Sequence, residues 1–160
     1  MNLTSHVKLV IFDVDGTLVT TKSGATFRKT ADDWQWLPGR LETLKVLQAQ
    51  GVHLGIATNQ GGVAFGYLDP LEIRHELMMM ANEGHIAYVE MCFSHPEATR
   101  PGYRDNSPRR KPGPGMLNEI IEASSEAKQD TLMVGDRPED EQAAQNAGVA
   151  FMWGDEFFGC

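Results

Sequence analysis

Asp13 and Asp15 stand two residues apart in the segment Phe12-Asp13-Val14-Asp15-Gly16-Thr17-Leu18, where an apolar run ends at a glycine. Carboxylates at the end of a buried strand are costly to desolvate and need partners. Two together suit a hard cation and set an oxygen nucleophile beside a second group able to move a proton. An Asx turn or a helix cap is the structural alternative for the pair.

Three more groups follow later apolar runs. Thr58-Asn59 comes after Val52 to Ala57; a hydroxyl and backbone amides at such a junction can cradle phosphate oxygens, or cap the next turn. Arg109-Arg110-Lys111 precedes Pro112-Gly113-Pro114-Gly115. A lysine held there can neutralise a phosphate and Asp13 together, although charge runs are most often solvated surface. Asp136 follows Thr131 to Val134, and Asp140 lies four residues on. Asp136 is expected to face the crevice and Asp140 to turn back from a first helical turn, unless it serves an ion pair or the helix N-terminus. Asp13, Asp15, Asp136 and Asp140 would repel one another without a cation among them, and Mg²⁺ is the expected one.

These parts suit phosphoryl transfer. In-line attack needs charge compensation on the equatorial oxygens, which Mg²⁺ and Lys111 would supply. A carboxylate nucleophile divides a slow hydrolysis into two easier steps, and a second carboxylate can serve both.

The elements that must position them alternate regularly. Lys8 to Phe12 predicts a first strand, and Leu18 to Arg28 a small projecting hairpin or flap with a turn at Lys22-Ser23-Gly24. Pro38-Gly39 opens a helix to about Gln50, with Leu41, Leu44 and Leu47 on one face. Val52 to Ala57 is the second strand, Gly61, Gly62 and Gly66 mark a loop, and Asp69-Pro70 starts a helix to about Gly84. Ile86 to Phe93 is the third strand, and Ser94 to Pro114 a long loop. A helix from Gly115 to about Lys128, a strand Thr131 to Val134, a helix Pro138 to Ala147 and a strand Val149 to Phe151 complete the pattern. This is an α/β fold: a doubly wound, Rossmann-like, mainly parallel sheet with helices on both faces. Such sheets bind ligands beyond the carboxyl ends of their strands.

A chain of 160 residues predicts one domain, residues 1–160, with a proper core. Its formal charge of −8 argues against a broad grip on DNA, though a local basic patch can still hold a phosphate. No run approaches the roughly 18 apolar residues that span a bilayer. Met1-Asn2-Leu3-Thr4-Ser5-His6 lacks the basic start and apolar stretch of a signal peptide. Cys92 and Cys160 alone make no disulfide framework, so a reducing cytoplasm is the expected compartment.

The chain resembles the haloacid dehalogenase (HAD) superfamily of phosphotransferases over nearly its full length. Phe12 to Leu18 matches the first family motif, Thr58-Asn59 the second, Lys111 the third, and Val134 to Asp140 the fourth. The resemblance implies Asp13 as the nucleophile that forms an aspartyl-phosphate, and Asp15 as the acid for the leaving oxygen and the base for water. It implies Thr58 and Lys111 as phosphate holders. Mg²⁺ would sit on Asp13, the Asp15 carbonyl and Asp136, with Asp140 directly or through water. No segment is long enough for a large cap.

Two subfamilies compete for the substrate. Thr20 to Gly24, Phe27, Asp33-Trp34, Thr58-Asn59-Gln60, Arg110-Lys111-Pro112, Gly148 to Phe151 and Glu156 to Phe158 look like the 3′-phosphatase domains of polynucleotide kinase/phosphatases. There, Lys22 and Arg28 would touch a nucleic-acid backbone, with Asn59 and Arg110 also at the substrate. Trp34 and Trp36 would stack on a base or anchor the flap by packing. Arg110 to Met116 and Gly135 to Asp140 look closer to heptose bisphosphate and histidinol-phosphate phosphatases. Those usually carry a zinc loop of three Cys and one His. Here only Cys92 and His95 stand in that region, too few for a structural zinc site. Cys92 reads as a small buried hydrophobe, and Tyr103 with nearby prolines as what holds the loop. The expected substrate is a polynucleotide 3′-phosphate or nucleotide ester; the alternatives are a sugar or histidinol (bis)phosphate, or phosphate binding without turnover in a regulatory protein.

Overall fold

The computed structural model describes residues 6–159; the readings placed on Met1 to Ser5 and on Cys160 lie outside the described residues. In chain order the elements are β1 (Leu9–Phe12), β2 (Val19–Thr20), β3 (Gln35–Trp36), α1 (Arg40–Ala49), β4 (His53–Asn59), α2 (Pro70–Gly84) and β5 (Tyr88–Cys92). They continue with α3 (Gly115–Ser124), β6 (Thr131–Gly135), α4 (Pro138–Ala147), β7 (Ala150–Trp153) and α5 (Gly154–Phe158).

Every residue of β1 is buried, because the strand is covered on both faces. Val10 and Phe12 enter one core with Leu44 and Leu47 of α1, Ile73, Leu77 and Met80 of α2, and Phe157 of α5. Leu9 and Ile11 point the other way, to Met116, Leu117, Ile120 and Ile121 of α3 and Ala143, Ala144 and Ala147 of α4. Alternate side chains serving opposite faces are what a central parallel strand requires. The sheet order is β5-β4-β1-β6-β7, all parallel, with Phe12 level with both Ile56 and Val134. The carboxyl ends of β4, β1 and β6 therefore lie side by side, at the point where the chain order reverses.

α2 starts as its sequence predicts: Asp69 accepts from the amides of Leu71 (2.8 Å) and Glu72 (3.1 Å), with Pro70 at the first helical position. α3 stops at Ser124 rather than near Lys128. Ser125 takes a left-handed conformation (φ 60), and Lys128–Asp130 forms a separate 3₁₀ turn. The flap also differs in extent. Its strands are β2 and β3, paired antiparallel, and residues 21–34 make the projection between them. Asp33 gathers that loop, accepting from the Lys29 amide (3.0 Å) and from the Ser23 hydroxyl (2.7 Å) and amide (2.9 Å). These donors, the Lys29 amide first, hold its carboxyl down at about 2. No large cap is present among the described residues. Among them, no helix is long and apolar enough to cross a membrane.

Candidate active site

The Asp13 amide still donates to Val134 O (3.0 Å), so the ladder fixes this residue at the sheet's carboxyl edge. The Val14 carbonyl then accepts from the amides of Thr17 (3.1 Å), Leu18 (2.9 Å) and Val19 (3.2 Å), and the chain turns through Gly16 at φ +90. A Cβ on Gly16 would run into the Asp136 carboxylate. The loops after β1 and β6 are thus pressed together. Thr17 Oγ1 donates to Asp136 Oδ1 (3.1 Å) across that contact.

Lys111, 2% exposed, reaches into the cluster from the long loop. Its Nζ donates to Asp13 Oδ1 and to Asp140 Oδ1, each at 2.7 Å. Asp140 turns back from the first turn of α4, and its Oδ2 accepts from the amides of Asp136 and Arg137, both at 3.1 Å. A Cβ on Gly135 would strike the Asp140 side chain, so glycine there lets α4 come this close. Burial pushes the Asp13 carboxyl up to about 8; the Lys111 charge opposes that rise and the Asp140 charge adds to it. Burial also works to lower the Lys111 pKa, but the charges of Asp13 and Asp140 and their hydrogen bonds outweigh it, and the net direction is upward.

Asp13, Asp136 and Asp140 each offer an oxygen within 4.8 Å of the others. Three carboxylates meet one ammonium, which leaves a surplus of negative charge in a partly desolvated place. Hard oxygen donors with that surplus fit Mg²⁺, which when bound would polarise phosphoryl oxygens.

Asp15 lies beside this cluster, half-buried. Its Oδ1 accepts from Arg28 Nε and its Oδ2 from Gln60 Nε2, both at 2.9 Å. Gln60 Nε2 also reaches Thr58 Oγ1 (2.9 Å), so Thr58 and Asp15 share a donor.

Six of the predicted site residues are therefore assembled: Asp13, Asp15, Thr58, Lys111, Asp136 and Asp140. Of the other four, Asn59 and Arg28 are engaged within the protein, and Lys22 and Arg110 lie outside the cluster. The Asn59 side chain grips the Lys111 backbone from both sides, Nδ2 to the carbonyl and Oδ1 from the amide, each at 3.0 Å. With both polar atoms engaged, it holds the lysine rather than facing a ligand. Arg28 does not lie along a channel: its side chain is 3% exposed and turned inward onto Asp15. Lys22 stays exposed on the flap. Arg110 is half-buried near Gly61, with Nη1 3.5 Å from Ser94 O. The tryptophans take the packing role. Trp34 is buried with Nε1 on Glu76 of α2 (3.0 Å), and Trp36 Nε1 donates to Glu83 of α2 (2.7 Å).

Thr17, Gln60 and Arg109 lie inside segments that the sequence marks, but no role was read for any of them individually. Arg109 anchors the lysine loop, donating to Glu119 (2.9 and 3.1 Å), Glu90 (2.7 Å) and Met91 O (2.9 Å). Cys92 is a buried free thiol, and His95 packs its ring against Phe65 (4.9 Å). Tyr103 helps close the loop, its carbonyl accepting from the His95 amide (2.9 Å) and its ring meeting Phe93 edge-on (6.2 Å).

A family model described as polynucleotide kinase 3 phosphatase matches residues 8–158. The chain belongs to that family. It is 34% identical over 146 residues to the D-glycero-beta-D-manno-heptose-1,7-bisphosphate 7-phosphatase of Bordetella bronchiseptica, covering 90% of this chain and 78% of that one. The corresponding enzyme of Photorhabdus laumondii is 31% identical over 152 residues, covering 92% and 79%. The crystal structure of the B. bronchiseptica D,D-heptose 1.7-bisphosphate phosphatase complexed with magnesium and phosphate matches with a TM-score of 0.73 and 31% identity, over 91% of this chain and 79% of that one. Family membership and the carboxylate cluster together make this chain a HAD-superfamily phosphatase acting on phosphoric monoesters, without the cysteine cluster of a zinc loop.

Proposed function

We propose that this chain, acting as one catalytic domain in a reducing cytoplasm, hydrolyses a small sugar phosphate, with a sugar bisphosphate as the preferred class. The observation that carries the chemistry is the buried Lys111 ammonium bridging Asp13 and Asp140 at 2.7 Å each. Asp13 attacks phosphorus, the bond from phosphorus to the ester oxygen breaks, and Asp15 gives its proton to that oxygen, releasing the alcohol. Asp15 then takes a proton from water as the water oxygen bonds to phosphorus. The bond from phosphorus to Asp13 breaks, and inorganic phosphate leaves. Lys111 and Thr58 hold the phosphoryl oxygens where charge builds. Mg²⁺ on Asp13, Asp136 and Asp140 would supply the remaining charge compensation.

The polynucleotide 3′-phosphate favoured by the sequence reading yields to its alternative. Curated relatives at 31–34% identity are heptose bisphosphate phosphatases. Of the features offered for nucleic acid, the tryptophans and Arg28 are engaged by other residues of the protein, while Lys22 stays exposed on the flap. The description of the family model still favours the nucleic-acid reading, so one experiment sets the two side by side. With Mg²⁺, kcat/KM is measured on a sugar bisphosphate, a sugar monophosphate, a nucleoside monophosphate and a 3′-phosphorylated oligonucleotide. The sugar bisphosphate is expected to lead by about tenfold or more, about 1.4 kcal/mol of transition-state binding. Preference for the oligonucleotide would overturn the substrate class. Asp13→Asn is expected to remove turnover on all four.

A further inference from the structure

We infer that Arg28 is a positioning residue for Asp15, so that the flap sets how well the leaving group receives its proton; this rests on the acid–base role proposed for Asp15. The flap loop is mostly solvent-facing: Lys22, Ser23, Gly24, Thr26, Phe27, Lys29 and Thr30 are exposed. Arg28 alone in that run is buried, and a guanidinium stays buried only with partners. Its Nε donates to Asp15 Oδ1 at 2.9 Å, and its Nη1 to Ala31 O at 3.0 Å. Among the described residues, no group accepts from the buried Nη2.

The other oxygen of Asp15 is taken by Gln60, from the loop after β4. Two donors from separate segments thus set the plane of one carboxylate, and charge-assisted bonds of this kind are directional. The flap is built to hold its half of the clamp. Asp33 ties Ser23 to Lys29, the residue next to Arg28, and Trp34 fastens the base of the loop to Glu76 on α2.

Orientation of Asp15 matters when the leaving oxygen is a poor one. An alkoxide must take the Asp15 proton as its bond to phosphorus breaks, whereas p-nitrophenolate departs without one. kcat/KM covers the steps through departure of the alcohol, and so isolates this event from the later hydrolysis of the aspartyl-phosphate. The test compares Arg28→Ala, Arg28→Lys and Asp33→Ala on p-nitrophenyl phosphate and on an alkyl phosphate, with Mg²⁺. For Arg28→Ala, kcat/KM on the alkyl ester is expected to fall about 100-fold, and on the aryl ester by less than about threefold. Arg28→Lys is expected to recover part of the alkyl loss. Asp33→Ala loosens the flap without touching Asp15, and should give the same bias at smaller amplitude. If Arg28→Ala no longer melts cooperatively, the bias in Asp33→Ala and Arg28→Lys decides. Equal losses on both esters, or no loss, would overturn the inference. A wild-type chain that releases phosphate from neither ester would instead overturn the reaction proposed above.

Discussion

Asp13 and Lys111 are buried together, and folding pushes the pKa of each upward. Burial raises the Asp13 carboxyl from 3.8 to about 8, so the folded chain binds this proton more tightly than the unfolded one. Its contribution to stability is therefore present at low pH and is lost as pH rises from 3.8 to about 8. A divalent cation competes with that proton, so Mg²⁺ should raise Tm more at about pH 9 than at about pH 6, with proton release on binding at the lower pH. Calorimetry in buffers of different ionisation enthalpy measures that release; a Tm shift independent of pH would count against the assignment. Lys111→Met removes the cation that answers Asp13 and Asp140. A loss of about 3–5 kcal/mol is expected at alkaline pH, and less where Asp13 is protonated, read from urea midpoints across pH.

The elements differ in how plainly the sequence announced them. β1, β4 and β6 were legible because a buried parallel strand needs an apolar run, and each run gives way to polar residues at the sheet's carboxyl edge. α2 and α4 carry proline at their first position and a cap or N-terminal carboxylate. The flap was legible but its extent was not, because its organiser, Asp33, acts on Ser23 and Lys29 rather than through a period-two pattern. α5 was not predicted at all: five residues are too short to show a period, and Phe157 and Phe158 are held there by contact with Phe12. Gly16→Ala tests the turn after β1, where φ is +90 and a Cβ meets Asp136. It should cost about 1–3 kcal/mol and lower activity with it, seen in parallel melting and phosphate-release assays. Arg109→Ala should loosen the lysine loop from β5 and α3 by about 1–3 kcal/mol, read from the urea midpoint.

For the whole molecule, the decisive feature is the sheet order β5-β4-β1-β6-β7, which sets three strand ends next to one another. Two cores, one on each face, hold that order. Phe157→Ala opens a cavity in the larger one and should cost about 3–5 kcal/mol, with turnover per folded molecule nearly unchanged at low temperature. The sequence by itself determined the alternating α/β architecture and marked Asp13, Asp15, Asp136, Asp140 and Lys111 as candidates, because apolar periodicity and the polar residues that follow each strand are written locally in the chain. Only the tertiary structure decided that Asn59 holds Lys111, that Arg28 and Gln60 hold Asp15, and that the tryptophans pack onto α2. Those choices depend on which donor lies within 3 Å of which acceptor after distant segments meet, and no local spacing in the chain encodes that distance.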